Sequence, residues 1–303
     1  MRSFTFLVNP HSGGGAAPAA VVPVARLLRD AGADVEVTYS PGAHAAAELV
    51  AAAAVRGDVV VSVGGDGMLS SIAGHVSRSG AVLGLVPAGR GNDFARMLEL
   101  DHAPHAVAAV LLEGTETPTD LISLTLPGRP PQLVAGSVYS GVDAHAGVLV
   151  DRVRWMPGPL QYPYAALHAL ATYTPSVFEL CVDGRRTTHR AATVVVANSG
   201  YYGKGMRIAP GASVDDGLLD VVVLGATSRR AMIWAFPKVY SGGHVDLDEV
   251  TVLTGRRVEI SASPAVAMGG DGEPLGPAPG SPSAPAVIEV AASAVKILRP
   301  GQE

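Results

Sequence analysis

Three glycine-rich stretches carry the residue types from which a phosphate site can be built. They are Asn9-Pro10-His11-Ser12-Gly13-Gly14-Gly15, Gly64-Gly65-Asp66-Gly67-Met68 and Ala88-Gly89-Arg90-Gly91-Asn92-Asp93. Glycine has no Cβ, so it takes positive φ and lets a ligand come close to the main chain. Each stretch follows a short apolar run, and a helix-compatible segment, residues 68–79, follows the second. Where a strand ends and a helix starts, free N–H groups and the positive end of the helix dipole favour phosphate. The bland alternatives stay open at this point. A buried strand ending in a Gly-rich turn is common, and Asn92 or Asp93 can simply cap a short helix.

The elements that must position these loops alternate in type. Residues 4–8 read as a strand. Val21, Val24, Leu27 and Leu28 mark a helix ending near Gly32, with Pro18 and Pro23 near its start. Residues 34–39 alternate as a strand, and an Ala-rich helix follows to about Arg56. Residues 58–63 are β-branched, the composition of a buried strand, and residues 81–86 form another. This alternation indicates βαβ units and a parallel sheet. Ligands of open parallel sheets bind outside the carboxyl ends of the strands, which is where all three loops lie.

From about Thr119 the texture changes. Strand-like runs at 121–126, 132–140, 177–182, 192–197, 218–224, 250–253 and 258–261 indicate an antiparallel sandwich. A helical insertion is expected over 160–173, a Pro/Ser-rich surface loop over 276–285 and the last strands over 286–298. The expected fold is an α/β nucleotide-binding domain with a parallel sheet over residues 1–122, completed by about 287–303. A mainly antiparallel β-sandwich domain, for substrate or as a lid, takes residues 123–286. No internal repeat is evident.

The 303 residues are 48% hydrophobic, a globular composition, and the net charge of −5 without any Lys/Arg-rich block gives nucleic-acid binding no support. Cys181 is the only cysteine, so an internal disulfide is excluded and a reducing compartment is expected. The apolar N-terminal run is too short for a signal peptide. No run of about eighteen apolar residues exists, so a transmembrane segment is not expected. These features suit a soluble cytoplasmic protein that meets lipid from outside.

Five motifs in order resemble the diacylglycerol kinase catalytic-domain family, the lipid-kinase group that includes sphingosine kinases and bacterial diacylglycerol kinases. They are Asn9-Pro10 with Gly13-Gly14, then Gly64-Gly65-Asp66-Gly67, then Gly89-x-Gly91-Asn92-Asp93-Phe94-Ala95-Arg96, then Asp215-Asp216-Gly217-x-x-Asp220, then Asp271-Gly272-Glu273. The resemblance covers nearly the whole chain. It implies an α/β nucleotide domain plus a β-sandwich lid, with the last strand returning to the first domain. It also implies transfer of the ATP γ-phosphoryl group, with Mg²⁺, to the hydroxyl of diacylglycerol or a related lipid at the inner membrane surface.

Carried over by position, the resemblance implies that Asn9, Ser12, Gly13 and Gly14 hold nucleotide phosphate, with Ser40 contacting the nucleotide before Gly42-x-His44. Gly64, Gly65, Asp66 and Gly67, followed by Met68, would wrap the phosphates, together with Gly89, Arg90, Asn92 and Asp93. Asp66, Asp93 and Asp120 would belong to a carboxylate and metal network, and Asp66 would act in catalysis. Asp216, with Ser213 and Leu218, is similar to a structural Mg²⁺ site. Asp271 and Glu273 stand where the family places its general-base candidate. Phosphoryl transfer depends on positioning and charge stabilisation, so amides, Mg²⁺ and carboxylates suffice. A lipid hydroxyl still gains from a carboxylate that accepts its proton, and Asp271 would do so across an interdomain cleft. Against this, Asp-Gly pairs favour plain hairpin turns, at Asp271-Gly272 and at Asp216-Gly217 alike.

The chain departs from the family at two places. Met68 and Arg90 stand where threonines are usual, so a phosphate-binding hydroxyl is lost at one and a guanidinium fork appears at the other. Two rival readings follow: a kinase of a sphingoid base or other polar alcohol, and a catalytically weak nucleotide- or lipid-binding regulatory protein. His44 reads as a structural residue before its helix. Trp155-Met156-Pro157 and Trp234 read as packing residues, with an acyl chain as the alternative. Lys204 is either solvated or directed at a phosphate. The sequence leaves a homodimer open.

Overall fold

A computed structural model describes residues 2–39, 43–153 and 155–301, without the side chains of residues 43, 44, 148, 151, 152, 158, 159 and 162. In chain order the first elements are β1 (Ser3–Val8), α1 (Ala17–Asp30), β2 (Asp34–Tyr39), α2 (Ala43–Arg56), β3 (Val59–Gly64), α3 (Asp66–Ser79), β4 (Val82–Pro87), α4 (Asp93–Met97), α5 (Pro104–Glu113) and β5 (Thr115–Thr125). Then come β6 (Gln132–Val134), β7 (Ser137–Gly141), α6 (Val142–Arg152), α7 (Gly158–Thr172), β8 (Ser176–Val182), β9 (Arg185–Ala197), β10 (Leu219–Gly225) and α8 (Arg229–Ser241). The last are β11 (Val250–Gly255), β12 (Arg257–Ser263), β13 (Ala267–Gly270), β14 (Glu273–Pro277) and β15 (Ala286–Arg299). Two compact units result, Met1–Leu121 with Ala292–Glu303, and Ile122–Ala291.

In the first unit β2, β1, β3, β4 and the end of β15 pair in that order, all parallel. Every residue of β3 is buried, as a strand covered on both faces requires, which is why its β-branched run shows no alternation. Val21, Val24, Ala25 and Leu28 of α1 pack on Phe4, Phe6, Val61 and Val63. One helix start differs from the sequence expectation, and one helix, α5, was not expected. α3 begins at Asp66 rather than Met68, because Gly65 already has the extended backbone of an N-cap. α5 lacks a polar face to mark its period; Pro104 opens it, and Val107, Ala108 and Leu111 bury it.

At the amino end of β3, Asp58 is buried and accepts hydrogen bonds from Ser3 Oγ (2.6 Å), Thr5 Oγ1 (2.8 Å) and Arg56 Nε (2.9 Å). This network clamps β1 to β3 at the sheet edge opposite the glycine loops.

In the second unit the 13-residue β9 pairs antiparallel with β8 along its first half and with β7 and β10 along its second. Val194 and Val196 of β9 face a sandwich core with Phe178, Leu180, Val221, Val223, Ile260 and Ile288. Val195 and Ala197, on its other face, pack with Tyr139, Tyr202, Met206 and Val239. Both faces of this strand are covered because α6, α7 and α8 lie over it. The sequence reading placed only the second of these helices, since α6 and α8 follow strands without Gly/Pro breaks long enough to announce them. It also took residues 132–140 as one strand, which Ala135 and Gly136 divide into β6 and β7.

Burial pushes the Asp58 carboxyl up, but the hydrogen bonds from Ser3, Thr5 and Arg56 and the Arg56 charge outweigh it and leave the pKa lowered. A lowered carboxyl stabilises above its unfolded value of about 3.9 and loses that contribution as pH falls through its folded value. Asp58→Asn is therefore expected to cost about 1–2 kcal/mol at neutral pH, discounted for the half-exposed Arg56. Urea titrations should show that difference shrinking below about pH 4.

Candidate functional site

The carboxyl ends of β1, β3 and β4 carry the three glycine loops, and the loops are packed against one another through their main chains. Asn9 N–H donates to Val63 O at 3.3 Å, and Ala88 N–H donates to Gly64 O at 2.8 Å. A Cβ on Gly13 would lie 2.4 Å from Ala88 O, and one on Gly64 would lie 2.9 Å from Ser12 Oγ. A Cβ on Gly89 would lie 2.2 Å from Gly65 Cα. Side chains are thus excluded here for steric reasons. Gly13, Gly14 and Gly15 in addition take successive positive φ values of 63°, 74° and 96°, the conformation glycine allows without strain. Gly14 and Gly15 have no neighbour where a Cβ would stand, so this part of the main chain is open to a ligand.

Asp66 organises the third loop. Its carboxylate accepts N–H bonds from Asp93 (3.1 Å) and Phe94 (2.9 Å), the first amides of α4. It therefore caps α4 from outside, while Asn92, at the N-cap position with φ 54°, uses its Oδ1 to accept the Gly89 N–H at 2.8 Å. Asp93 is buried and ion-paired with Arg96. Gly67 lies in the first turn of α3, with Met68 after it packed beside Gly64. Arg90 is exposed at the tip of the loop. Asp120 is buried in β5 and accepts the Ser293 N–H of β15 at 2.6 Å. Ser40 and Gly42 lie outside the described residues, as does the side chain of His44.

In the second unit, Asp271 occupies the β13–β14 turn with φ 46°. Its two oxygens accept the N–H groups of Ala135, Gly136 and Ser137 at 2.9–3.1 Å. Three successive amides grip one carboxylate, and a Cβ on Gly136 would lie 2.8 Å from its Oδ1. Gly272 N–H donates to Tyr139 Oη at 3.1 Å. Burial pushes the Tyr139 hydroxyl far up, so it stays protonated. Glu273, next along, is exposed. Sequence reasoning missed the 135–137 amides and Tyr139, and the only trace of them was the Ala-Gly pair interrupting a strand pattern.

The Asp215-Asp216-Gly217 turn is exposed and self-bonded. Ser213 Oγ donates to Asp215 at 2.6 Å, and Leu218 N–H donates to Asp216 Oδ1 at 2.9 Å. Burial first, and then the Asp216 charge, push the Asp220 carboxyl up. An oxygen-only donor set with two carboxylates in mutual repulsion suits a hard cation such as Mg²⁺. Among the described residues no three His, Cys, Asp or Glu side chains group to hold a metal.

The same unit contains a cavity of about 450 Å³ under α6, α7 and α8. Ala146, Leu170, Met206, Ile208, Met232 and Phe236 give it apolar walls, and Asp143 and His244 are polar groups on them. Thr193 Oγ1 lies 2.9 Å from Ser140 O and 2.8 Å from Asp143 Oδ2. One hydroxyl has one proton, so with that proton on Ser140 O the second contact needs a proton on Asp143. Burial pushes the Asp143 carboxyl up in agreement, despite hydrogen bonds from Thr193 and Tyr202. Burial pushes the His244 ring down, and its Nε2–H donates to Ile208 O at 3.0 Å.

The diacylglycerol kinase catalytic domain model matches residues 3–124, and the YegS C-terminal NAD kinase beta sandwich-like domain model matches residues 136–299. This chain belongs to the diacylglycerol kinase family. A diacylglycerol kinase of Mycobacterium tuberculosis is 33% identical over 98% of this chain and 94% of that protein. A diacylglycerol kinase of Bacillus subtilis is 24% identical over 92% of each. A crystal structure of a Bacillus anthracis protein superposes with a TM-score of 0.76 at 18% identity, over 98% of this chain and 97% of that one, and shows the same fold. The protein is a lipid kinase, a phosphotransferase with an alcohol group as acceptor.

Gly89→Ala should separate the second and third loops, costing about 1–3 kcal/mol by overpacking. It should weaken nucleotide binding by about tenfold or more. Differential scanning fluorimetry and nucleotide titration would read the two effects separately. Asp143→Asn should act in the opposite direction. A raised carboxyl contributes fully below its unfolded pKa and loses that contribution as pH rises towards its folded value. Asn keeps a donor to Thr193 without taking up a proton, so the variant should gain stability over the wild type as pH rises above about 4, read by denaturant midpoints.

Proposed function

We propose that the protein transfers the γ-phosphoryl group of ATP, with Mg²⁺, to the primary hydroxyl of diacylglycerol, from the cytoplasmic side of the membrane where ATP is supplied. The observation that carries the reading is the triple glycine cradle. Gly13, Gly64 and Gly89 admit no side chain, and Gly14 and Gly15 leave the space beside the main chain open to anionic oxygens, with the Gly15 N–H itself donated to Ser12 O at 3.0 Å. Names borne by relatives support the acceptor, since two of them are diacylglycerol kinases.

Asn9, the Ser12–Gly14 turn and Gly64 to Gly67 hold the phosphates. Arg90, exposed beside them, adds a planar cation where a hydroxyl is usual. Asp66 holds the third loop in place by its bonds to α4, so its catalytic contribution is positional. Asp216, with Ser213 and Leu218, would hold a structural Mg²⁺, and a Mg²⁺ bound with the nucleotide would supply charge neutralisation to the phosphates. As the P–O bond to the leaving ADP breaks and the lipid oxygen bonds to phosphorus, Asp271 accepts the hydroxyl proton. The 135–137 amides fix its carboxylate in one position, and Tyr139 fixes the following residue. The cavity beneath α6–α8 takes acyl carbons of the acceptor.

Purified protein with γ-labelled ATP, Mg²⁺ and dioleoylglycerol in mixed micelles is expected to yield labelled phosphatidic acid. Label only in added sphinganine would reassign the acceptor, and label in neither would remove the kinase reading of this site. Asp271→Asn should cut kcat by about 10²-fold or more while ATP affinity holds. If nucleotide affinity alone falls, Asp271 is not the base.

A further inference from the structure

The large apolar side chains exposed among the described residues are not scattered. Seven of the thirteen lie on α7, α8 and the turn before α7. Leu160, Tyr164 and Leu167 follow one another at helical spacing on the outer face of α7, while Ala165, Ala166, Ala169 and Leu170 are buried on its inner face. On α8, Ile233, Trp234 and Tyr240 are exposed and Met232 and Val239 are buried. Trp155 and Trp234 are 79% and 84% exposed, and they are the only tryptophans of the chain. Tryptophan is costly to leave in water and suited to a membrane interface, where its ring lies in apolar surroundings and its N–H reaches water.

Charge selects the partner. The chain as a whole carries −5, yet α7 and α8 contain no Asp or Glu. Arg229, Arg230 and Lys238 frame the exposed aromatics of α8, with Arg229 also donating to Tyr173 O at 3.4 Å. Exposed apolar and aromatic residues on helices whose only formal charges are cations are the features of an interfacial helix on anionic lipid, and the nearby acids Asp143 and Glu249 lie on the cavity wall. The apolar cavity lies directly behind this face, since Trp234 and Ala235 of α8 and Ala166 and Leu170 of α7 line it.

We propose that the outer faces of α7 and α8, with Trp155 and Trp234 as anchors, are the surface by which this protein docks on an anionic lipid bilayer. Docking there brings the cavity mouth to the lipid, so an acyl chain can pass between bilayer and protein without crossing bulk water. The proposal stands without the kinase reaction, because adsorption can be measured with no nucleotide present.

The two tryptophans make the test direct. Wild-type protein is mixed with phosphatidylcholine vesicles, with and without phosphatidylglycerol. Intrinsic emission should shift to the blue only with the anionic vesicles, be quenched by brominated acyl chains, and revert as salt is raised. Arg230→Gln should weaken adsorption about fivefold, and Trp155→Ser should weaken it while turnover on a dispersed short-chain diacylglycerol is kept. Trp155→Phe and Trp234→Phe, which keep the fold and leave one reporter each, should both still show quenching. Vesicle binding without a shift or quenching would place the docking surface elsewhere and overturn the proposal. A blue shift that follows protein concentration rather than lipid would overturn it too, with a second copy of the chain as occupant.

Discussion

The carboxylate of Asp66 accepts the first two amides of α4, and the third glycine loop depends on that pair of bonds. Without them α4 would start with orphaned donors, because Asn92 spends its side chain on Gly89. Holding α4 also holds Gly89 against Gly65, and Ala88 against Gly13 and Gly64. One acid therefore keeps three loops in register at the carboxyl ends of three strands. Because the contacts are main chain to main chain, no side chain can be added without moving a strand end.

Asp271 and Asp120 use the same device. Asp271 gathers three successive amides, and Asp120 takes the Ser293 N–H. In each case a carboxylate that a motif would mark as chemical has backbone partners that fix its position. Bonds of this kind, from N–H to an ionised acceptor, are among the stronger ones available. They also preorganise the acid, which is the main demand that phosphoryl transfer makes of a protein. These oxygen atoms serve the architecture, and under the proposed reaction the same atoms would serve the chemistry.

The helical layer of the second unit separates two kinds of burial. Towards the strands, Val142, Ala146, Ala169, Leu170 and Met232 join Ala192 in a small core. Away from them the same helices expose Leu160, Tyr164, Ile233 and Trp234. Between the two lies a cavity whose Asp143 carboxyl is pushed up by burial. A surface of this composition is expensive in water, which gives it a physical reason to seek a partner.

The amino-acid sequence by itself determined the alternation of the first unit, the antiparallel texture of the second and the three glycine loops. The reason is local: β-branched runs, Gly breaks and helical spacing act within a few residues. It also placed the family motifs, whose residues stand in order along the chain. Only the tertiary structure decided what the acids of those motifs hold, since Asp66 meets Phe94 and Asp271 meets Ala135 across 28 and 136 residues. The same holds for α5, α6 and α8, which the sequence did not mark and whose buried faces are defined by the strands and helices they pack on. The two tryptophans read as core or surface packing from sequence, and the tertiary structure leaves both on the surface.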